Sequence, residues 1–451
     1  MRGKFDMQQP GLMQSMRRFL DSTSSEPGGR SPGTGTTHDA GIDADGWLPD
    51  HPSESRPAGR RAAAARSTPY LEMDLDRVEL AYHDLRSALP EARVHYAVKC
   101  NPDGPVLARL HDLGGSFEIA SAAELGDLIA VGVHPSDVLF SNPVKVPTHV
   151  RATWAAGVYR FAFDSDAELD KLAEHAPGAS VYVRLATRQA GSAVPSEGKF
   201  GVDDVEAVRL LRRAVTLGLR PYGIAFHVGS QMTDPSAWEH PIERSAGVFD
   251  ELLADGIRLT MLDVGGGFPA RYDADVPDLT RYAKHIRTAV EEHLPYPVEL
   301  VVEPGRALVA EAGVMVSTVI GVAQRAGRRW AHLDVGAFNG MMEALETNNQ
   351  LRFPVEDSRY SAQRAAFHLT GPTCDSQDTI LFDVPMSADL AVGDLVRIGV
   401  AGAYTTAYAS GFNGFDVPWV RYVGDRPLRG SAGWLRRGPA GHGAGRAGGT
   451  R

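Results

Sequence analysis

The stretch His95-Tyr96-Ala97-Val98-Lys99-Cys100-Asn101 is an apolar run that ends in a lysine, where a strand is expected to give way to a loop. A lysine at a strand end is most simply a solvated terminus. The alternative is a partly desolvated pocket, in which the pKa of the lysine falls and its amine can form a Schiff base. The stretch alone leaves both interpretations open.

Seven further short runs rich in β-branched and aromatic residues follow this one, each closed by a loop. The eight predicted strands are residues 94–99, 115–120, 137–143, 159–164, 179–187, 221–230, 258–268 and 298–308. Amphipathic segments with helical spacing lie between most of them, at 122–132, 202–219, 237–256 and 279–294. In the second segment, the apolar residues at helical spacing are Val205, Val208, Leu211, Val215 and Leu219.

Alternating strands and helices of this number predict an α/β fold, a closed parallel (β/α)8 or TIM barrel, whose active sites lie at the carboxyl ends of the strands. An open, doubly wound parallel sheet is the alternative that the pattern leaves open. Beyond the barrel the runs become mainly β, at 313–323, 329–336, 365–370, 378–384, 395–405 and 419–423, with one short helix near 340–347. This change indicates a C-terminal, mostly β domain, a sandwich or small barrel.

The chain therefore divides into five predicted segments. Residues 1–66 and the Gly/Arg-rich residues 426–451 lack apolar periodicity, which predicts disordered tails. Residues 67–91 are expected to contribute a strand to the β domain from the N-terminal side. The barrel is expected at 92–311 and the β domain at 312–425.

Composition excludes several classes of protein. The chain has 451 residues, 43% of them hydrophobic, and a formal net charge of -10, which suits a large core and argues against nucleic-acid binding. Its two cysteines, Cys100 and Cys374, fit neither a disulfide scaffold nor a metal-binding pattern. The longest apolar run, 312–323, is shorter than the roughly 20 residues that span a bilayer, and no signal-peptide pattern is found. We expect a cytoplasmic protein without membrane contact.

Residues that can carry chemistry stand at the ends of four predicted strands. Lys99 ends the first, His227-Val228-Gly229-Ser230 the sixth, the segment 263–269 the seventh and Glu303-Pro304-Gly305-Arg306 the eighth. A barrel brings these ends to one mouth, however far apart they lie in the sequence. The three glycines at 265–267 let backbone N–H groups approach an anion, and a nearby arginine adds a charge-assisted donor, which indicates a phosphate site.

Each of these residues also has an ordinary structural interpretation. A triple glycine is often a tight turn, Glu303 alone would be expected to pair with Arg306, and His227 alone could be a structural histidine. Together at one mouth they describe a pyridoxal phosphate site. The lysine would bind the cofactor, the glycines its phosphate, the acid its protonated pyridine nitrogen and the imidazole its ring.

At this point the chain resembles the barrel-type (fold type III) pyridoxal-phosphate decarboxylases of basic amino acids. This is the ornithine, lysine and diaminopimelate decarboxylase family, and the resemblance is strongest to ornithine decarboxylases. It extends from about residue 70 to 423. Eight motifs carry it in order, YAVKCN at 96–101, FEIAS at 117–121, HVGS at 227–230, LDVGGGFP at 262–269, EPGR at 303–306, GPTCDSQD at 371–378, GAYT at 402–405 and FNGF at 412–415.

The resemblance implies a role for each motif residue. Lys99 would bind the cofactor covalently, Glu303 would pair with its pyridine nitrogen, and His227 would stack on its ring. Glu118 and Arg184 would line the same mouth. The residues implied at the cofactor phosphate are Ser230, Gly265, Gly266, Gly267, Gly305, Arg306 and Tyr404.

By the same resemblance, the β domain completes the site through a homodimer. Cys374 and Asp375 would reach the barrel mouth of the partner subunit, where Cys374 protonates the α-carbon and Asp375 binds the distal ammonium group of the substrate. Phe412 would also contact the substrate. The implied reaction converts a basic diamino acid, L-ornithine first of all, to a diamine and CO2.

Several alternatives stay open. Lysine, a diaminopimelate-type substrate or a modified amino acid would suit the same decarboxylation chemistry. The alternative functions are racemisation and a non-catalytic regulatory role. Animal-type ornithine decarboxylases carry Tyr-Asp-His-Ala along the distal end of the substrate, whereas the stretch at 341–349 here is MMEALETNN. The expected second distal carboxylate is missing. Asp375 still favours a terminal amine, and the diaminopimelate branch typically has glutamate at that position.

Overall fold

The computed structural model describes residues 67–188, 191–194 and 198–424. Both predicted tails lie outside the described residues. In the N-terminal part the strands are β1 (Tyr70–Asp74), β2 (Arg93–Ala97), β3 (Ser116–Ile119), β4 (Val138–Phe140), β5 (Arg160–Phe163), β6 (Ser180–Leu185), β7 (Ser192–Val194), β8 (Arg220–Phe226), β9 (Ser230–Met232), β10 (Met261–Asp263) and β11 (Glu299–Val302).

Helices follow most of these strands. They are α1 (Leu75–Ala88), α2 (Gly104–Asp112), α3 (Ala122–Ala130), α4 (Pro147–Ala156), α5 (Asp166–His175), α6 (Asp204–Thr216), α7 (Glu239–Ala254), α8 (Leu279–His293) and α9 (Arg306–Val309). Short 3-10 turns are formed by Val98–Cys100, Pro135–Asp137, Pro235–Trp238 and Ala310–Ala312.

Eight parallel strands close into a barrel in the spatial order β10-β11-β2-β3-β4-β5-β6-β8. The ring closes where β11 pairs with β2 and β8 pairs with β10. The predicted (β/α)8 barrel is therefore confirmed, and the open sheet is excluded. Side chains from six strands fill the interior, Leu139, Ala162, Tyr182, Ala225, Met261 and Val301. Burial of each large apolar side chain contributes about 1.5–3 kcal/mol.

Helix α6 confirms the helix predicted from apolar spacing, although two of its apolar residues are exposed. Its N-cap is Asp203, whose side chain accepts a hydrogen bond from the backbone N–H of Glu206 at 2.8 Å. The buried side chains are Ala207, Val208, Leu210, Leu211 and Ala214, whereas Val205 is 81% and Val215 48% exposed. The helix packs this face against β6 and β8 of the barrel, and both valines face solvent.

The second part of the chain is mostly β, as predicted. Its elements are β12 (Gly313–Arg325), β13 (Arg328–Leu333), a π turn (Ala337–Met341), α10 (Glu343–Glu346), β14 (Val355–Asp357), β15 (Arg364–Thr370), β16 (Thr379–Ser387), β17 (Leu395–Ile398), a 3-10 turn (Phe412–Gly414) and β18 (Trp419–Val423). These strands form one eight-stranded sheet with β1, which pairs with β12 and β18. Strand β14 was not predicted from the sequence. The strand predicted at 395–405 ends at Ile398, and residues 399–405 form a loop.

No helix in the described ranges is both long and apolar enough to cross a membrane.

Candidate active site

Lys99 was predicted as the last residue of the first barrel strand, and it lies two residues beyond the end of that strand. Strand β2 ends at Ala97, and the next three residues form the 3-10 turn Val98–Cys100. Val98 and Cys100 are buried and anchor this turn, whereas 56% of the Lys99 side chain is exposed. The turn thus fixes the backbone of the lysine and leaves its amine accessible from the barrel mouth.

Carboxylates, rather than apolar surroundings, determine the charge state of Lys99. Its Nζ lies 3.3 Å from Oε1 of Glu118, a buried residue at the end of β3. Glu118, with Glu303 acting in the same direction, raises the pKa of Lys99 more than burial lowers it. Burial in turn raises the pKa of Glu118 to about 7, although Lys99 opposes the shift. The lowered lysine pKa considered from the sequence is therefore wrong for this arrangement.

Glu303 follows β11 directly and is held against the glycine loop. Its backbone N–H donates to the carbonyl of Gly265 at 2.8 Å. Its side chain accepts a hydrogen bond from the hydroxyl of Ser141, which also lies 3.0 Å from the hydroxyl of Tyr182. The Gly265 contact fixes the backbone of Glu303, and the Ser141 contact fixes one oxygen of its carboxylate.

A second carboxyl group, that of Asp263, lies beside Glu303 at the end of β10. It is fully buried, and its Oδ1 accepts a hydrogen bond from the N–H of Gly265 at 2.9 Å. Burial, followed by the negative charge of Glu303, raises the pKa of Asp263 well above its usual range. Burial next to Glu303 therefore favours the protonated form of the Asp263 carboxyl group.

The glycine loop after β10 can only be made of glycine. A Cβ on Gly265, whose φ is +70°, would lie 2.3 Å from the carbonyl oxygen of Phe226. A Cβ on Gly266 would lie 2.5 Å from the carbonyl oxygen of Glu303. Within the described residues, the N–H groups of Gly266 and Gly267 donate to no acceptor. Two main-chain donors are thus available to an anion.

Arg306, the first residue of α9, lies beside this loop and is almost completely buried. Its guanidinium donates from Nε and Nη2 to the hydroxyl of Ser230, at 3.3 and 3.2 Å. It also donates to both carboxylate oxygens of Glu343 and to the hydroxyl of Tyr272. The ring of Tyr404 lies 5.1 Å from its central carbon. The structure therefore brings the predicted phosphate residues Ser230, Arg306 and Tyr404 together.

The phosphate side and the lysine turn are joined through Cys100. A Cβ on Gly305 would lie 2.9 Å from the Cβ of Cys100, so only glycine allows this approach. The N–H of Tyr404 donates to the carbonyl of Cys100 at 2.8 Å. These contacts hold Lys99, the residue before Cys100, at a fixed place relative to Arg306.

His227 follows β8 and lies over the glycine loop, with its Cε1 3.6 Å from the position of a Cβ on Gly266. Burial, with smaller effects from Arg184 and Lys99, lowers the pKa of His227 to about 3. The imidazole is therefore neutral near pH 7. Arg184, in β6, stands 5.3 Å from the ring of Phe200 and acts electrostatically on the same mouth.

The residues predicted to bind substrate lie elsewhere. The thiol of Cys374 is exposed and accepts a hydrogen bond from Nδ2 of Asn413 at 3.4 Å. The carboxylate of Asp375 accepts a hydrogen bond from the N–H of Gln377. The ring centroids of Phe412 and Phe338 are 4.8 Å apart. In the described residues, no hydrogen bond, ion pair or ring contact joins Cys374, Asp375 or Phe412 to Lys99 or Glu303. They form a separate exposed cluster.

Four residues of the mouth were not predicted, namely Ser141, Asp263, Tyr272 and Glu343. Asp263 stands in LDVGGGFP and Glu343 in MMEALETNN, but nothing in the spacing of these segments shows what the two residues contact. Ser141 directly follows the third barrel strand, and that position was the available signal. Tyr272 carries no sequence signal beyond its closeness to the glycine loop.

The residues present fit a phosphorylated pyridine aldehyde. They provide an accessible amine, the carboxyl group of Glu303, a neutral flat imidazole and unpaired main-chain donors beside a buried guanidinium. In residues 67–188, 191–194 and 198–424, no cluster of His, Cys, Asp and Glu is arranged to hold a metal ion. Fold and mouth together define a barrel enzyme of the pyridoxal phosphate class.

Comparison with known families is consistent with this class. The family description "Pyridoxal-dependent decarboxylase, pyridoxal binding domain" matches residues 75–310, and "Pyridoxal-dependent decarboxylase, C-terminal sheet domain" matches residues 226–402. The chain belongs to the pyridoxal-dependent decarboxylases. It is an amino-acid carboxy-lyase that uses pyridoxal 5'-phosphate, and the resemblance stated from its motifs is confirmed.

Similar proteins include decarboxylases of several basic amino acids. The chain is 37% identical to a lysine/ornithine decarboxylase of Selenomonas ruminantium, over 80% of this chain and 91% of that protein. It is 33% identical to an ornithine decarboxylase of Schizosaccharomyces pombe, over 81% and 86%. A crystal structure of a lysine/ornithine decarboxylase from Vibrio vulnificus with cadaverine superposes with a TM-score of 0.74, at 31% identity over 80% of this chain and 96% of that chain.

Proposed function

We propose that the protein decarboxylates a basic diamino acid, L-ornithine or its close analogue L-lysine, giving the diamine and CO2, as a homodimer with shared active sites. The observation that carries the proposal is the convergence of Lys99, Glu118, Glu303 and Arg306 at one barrel mouth. The names of the similar decarboxylases support a basic substrate. The preference for ornithine rests on the motif resemblance and on Asp375.

The residues of the mouth would hold the cofactor in defined ways. Lys99 Nζ would bind its aldehyde carbon, and Glu303 would pair with its protonated pyridine nitrogen. The N–H groups of Gly266 and Gly267, with Arg306 and its neighbours, would hold its phosphate. Bound pyridoxal phosphate supplies a sink for the electron pair that remains on the α-carbon when CO2 leaves.

Glu118 is placed to manage the proton of Lys99. The amine must be neutral to attack a carbonyl carbon, and its Nζ lies 3.3 Å from Glu118 Oε1. A carboxyl group whose pKa is about 7 can accept this proton near neutral pH and return it later. Neutral His227 would pack flat on the cofactor ring without adding positive charge beside the protonated pyridine.

The exposed cluster of Cys374, Asp375 and Phe412 supports a site shared between subunits. Among the described residues it makes no hydrogen bond, ion pair or ring contact with Lys99 or Glu303, and the large apolar side chains of Phe412, Phe415 and Val417 along the same segment are exposed. In a dimer this surface would cover the mouth of the neighbouring barrel. The partner subunit's Asp375 would bind the distal ammonium group, and the partner subunit's Cys374 would deliver a proton to the α-carbon.

A substrate panel tests the proposed function. Protein loaded with pyridoxal phosphate is incubated with ornithine, lysine, diaminopimelate or arginine, and CO2 and amine are measured. We expect equal amounts of CO2 and diamine from ornithine or lysine, and none from the Lys99→Ala variant. The absence of CO2 from all four amino acids, despite a bound chromophore, would contradict the proposal.

A non-catalytic regulatory homologue is the other class of function considered from the sequence. Such a protein is expected to have lost residues that hold the cofactor. Lys99, Glu303 and Arg306 are all present and lie at one mouth. We therefore favour the enzyme.

A further inference from the structure

Every donor of Arg306 is already engaged by a side chain of the same chain. A guanidinium has five N–H groups. Nε and one Nη2 hydrogen point at Ser230, the other Nη2 hydrogen and one Nη1 hydrogen point at Glu343, and the last points at Tyr272. The arginine expected to bind the cofactor phosphate is therefore fully paired within the protein.

The partner with the greatest effect is Glu343, because it contributes a full negative charge in a bidentate arrangement. The side chains of Arg306 and Glu343 are only 3% and 4% exposed, so solvent screens their attraction little. Glu343 is the first residue of α10, and its backbone carbonyl accepts a hydrogen bond from the hydroxyl of Thr347 at 2.8 Å. The backbone of Glu343 is thus held at the start of the helix, and its carboxylate is held by Arg306.

We propose that Glu343 is a resident counter-anion of the phosphate subsite, which competes with the cofactor phosphate for Arg306 and thereby sets the affinity for the cofactor. This rests on the proposed role of Arg306 at the phosphate. A phosphate at the free N–H groups of Gly266 and Gly267 would share Arg306 with Glu343. Because the two anions repel each other, the presence of Glu343 weakens phosphate binding.

The Glu343→Gln variant tests this proposal, because it keeps the shape of the side chain and removes its charge. Full-length protein stripped of cofactor is titrated with pyridoxal phosphate and, separately, with pyridoxal, which lacks the phosphate. We expect the Kd for pyridoxal phosphate to fall by about tenfold, while that for pyridoxal stays within about twofold. Glu346→Gln, one turn further along α10, is the matched control, since it removes the same charge without contacting Arg306.

The opposite results are equally clear. An unchanged or weaker affinity for pyridoxal phosphate in Glu343→Gln would show that Glu343 only supports Arg306 structurally. Equal tightening for pyridoxal phosphate and pyridoxal would show that the effect does not act through the phosphate. Either result overturns the proposal.

Inorganic phosphate provides a second readout that needs no cofactor. Without Glu343, the buried Arg306 lacks a counter-charge, which destabilises the folded protein. We expect added phosphate to raise the Tm of Glu343→Gln more than that of the wild type, and more than chloride at equal ionic strength. Equal responses to the two salts would contradict the proposal. Neither readout measures CO2 release, so failure of the decarboxylase assignment would be recognised separately.

Discussion

At the scale of single residues, the electrostatics of the mouth follow from burial and from a few close charges. Glu118 raises the pKa of Lys99, burial next to Glu303 raises the pKa of Asp263, and burial lowers the pKa of His227 to about 3. Residue types at strand ends could be predicted from the sequence. Their protonation states could not, because these depend on distances between residues far apart in the chain.

The influence of Glu118 on Lys99 can be measured directly. In Glu118→Gln the main cause that raises the pKa of Lys99 is lost, so the pKa of the lysine falls. We expect covalent attachment of pyridoxal phosphate to Lys99, which needs the neutral amine, to extend to lower pH. Borohydride trapping followed by mass spectrometry of the Lys99 peptide measures this profile, with Lys99→Ala as the blank. A profile that does not move, or that moves to higher pH, would refute the pairing.

His227 should make stability depend on pH in acid. Its pKa is about 3 in the folded protein and about 6.5 in an unfolded chain, so between these values the unfolded state binds more protons. The free energy of unfolding therefore falls as the pH drops below about 6.5. Between pH 7 and 5 we expect this histidine to account for up to about 2 kcal/mol of the loss.

Urea unfolding at both pH values, compared between the wild type and His227→Phe, measures that contribution. The variant should lose less stability than the wild type on acidification. An equal loss in the two proteins would mean that His227 titrates normally in the folded state.

At the scale of elements, periodicity predicted the eight barrel strands and the β domain because both are patterned by burial. The same reasoning failed where the pattern was ambiguous. Strand β14 has only three residues, and residues 399–405 are apolar but form a loop that brings Tyr404 to the mouth, with a φ of +53° at that tyrosine. A backbone of this kind depends on contacts with the barrel, and such contacts leave no periodic signal.

Helix α6 gives a test of which face is buried. Leu211 is fully buried against the barrel, whereas Val205 is 81% exposed. We expect Leu211→Ala to lower the free energy of unfolding by about 2–5 kcal/mol and Val205→Ala to change it by less than about 0.5 kcal/mol. Denaturant titration measures both. Similar losses for the two variants would show that the helix is rotated from the position described.

At the scale of the whole molecule, the site is built from parts that the sequence places far apart. The motifs at the strand ends, together with the resemblance they carry, predicted that Lys99, Glu303 and Arg306 would meet, because a barrel brings strand ends to one mouth. The bidentate contact between Glu343 and Arg306 could not be predicted. It depends on how α10 of the β domain packs against the barrel, and no spacing rule fixes that packing.

The whole molecule also decides the proposed role of the exposed cluster. If the site is shared, a subunit lacking Lys99 and a subunit lacking Cys374 can complement each other. Their heterodimer would contain one intact site, formed by Lys99 of one subunit and Cys374 of the other, and one site that lacks both residues. Random pairing would then restore about one quarter of the wild-type activity.

The most direct test of the account is therefore CO2 release from the reactive amino acid by co-expressed Lys99→Ala and Cys374→Ala chains that carry different affinity tags. Each variant alone is expected to be nearly inactive, and the doubly purified heterodimer should recover about half of the wild-type activity, since one of its two sites is intact. A heterodimer as inactive as its parents would contradict the shared site, and would place the proton donor within the same chain as Lys99.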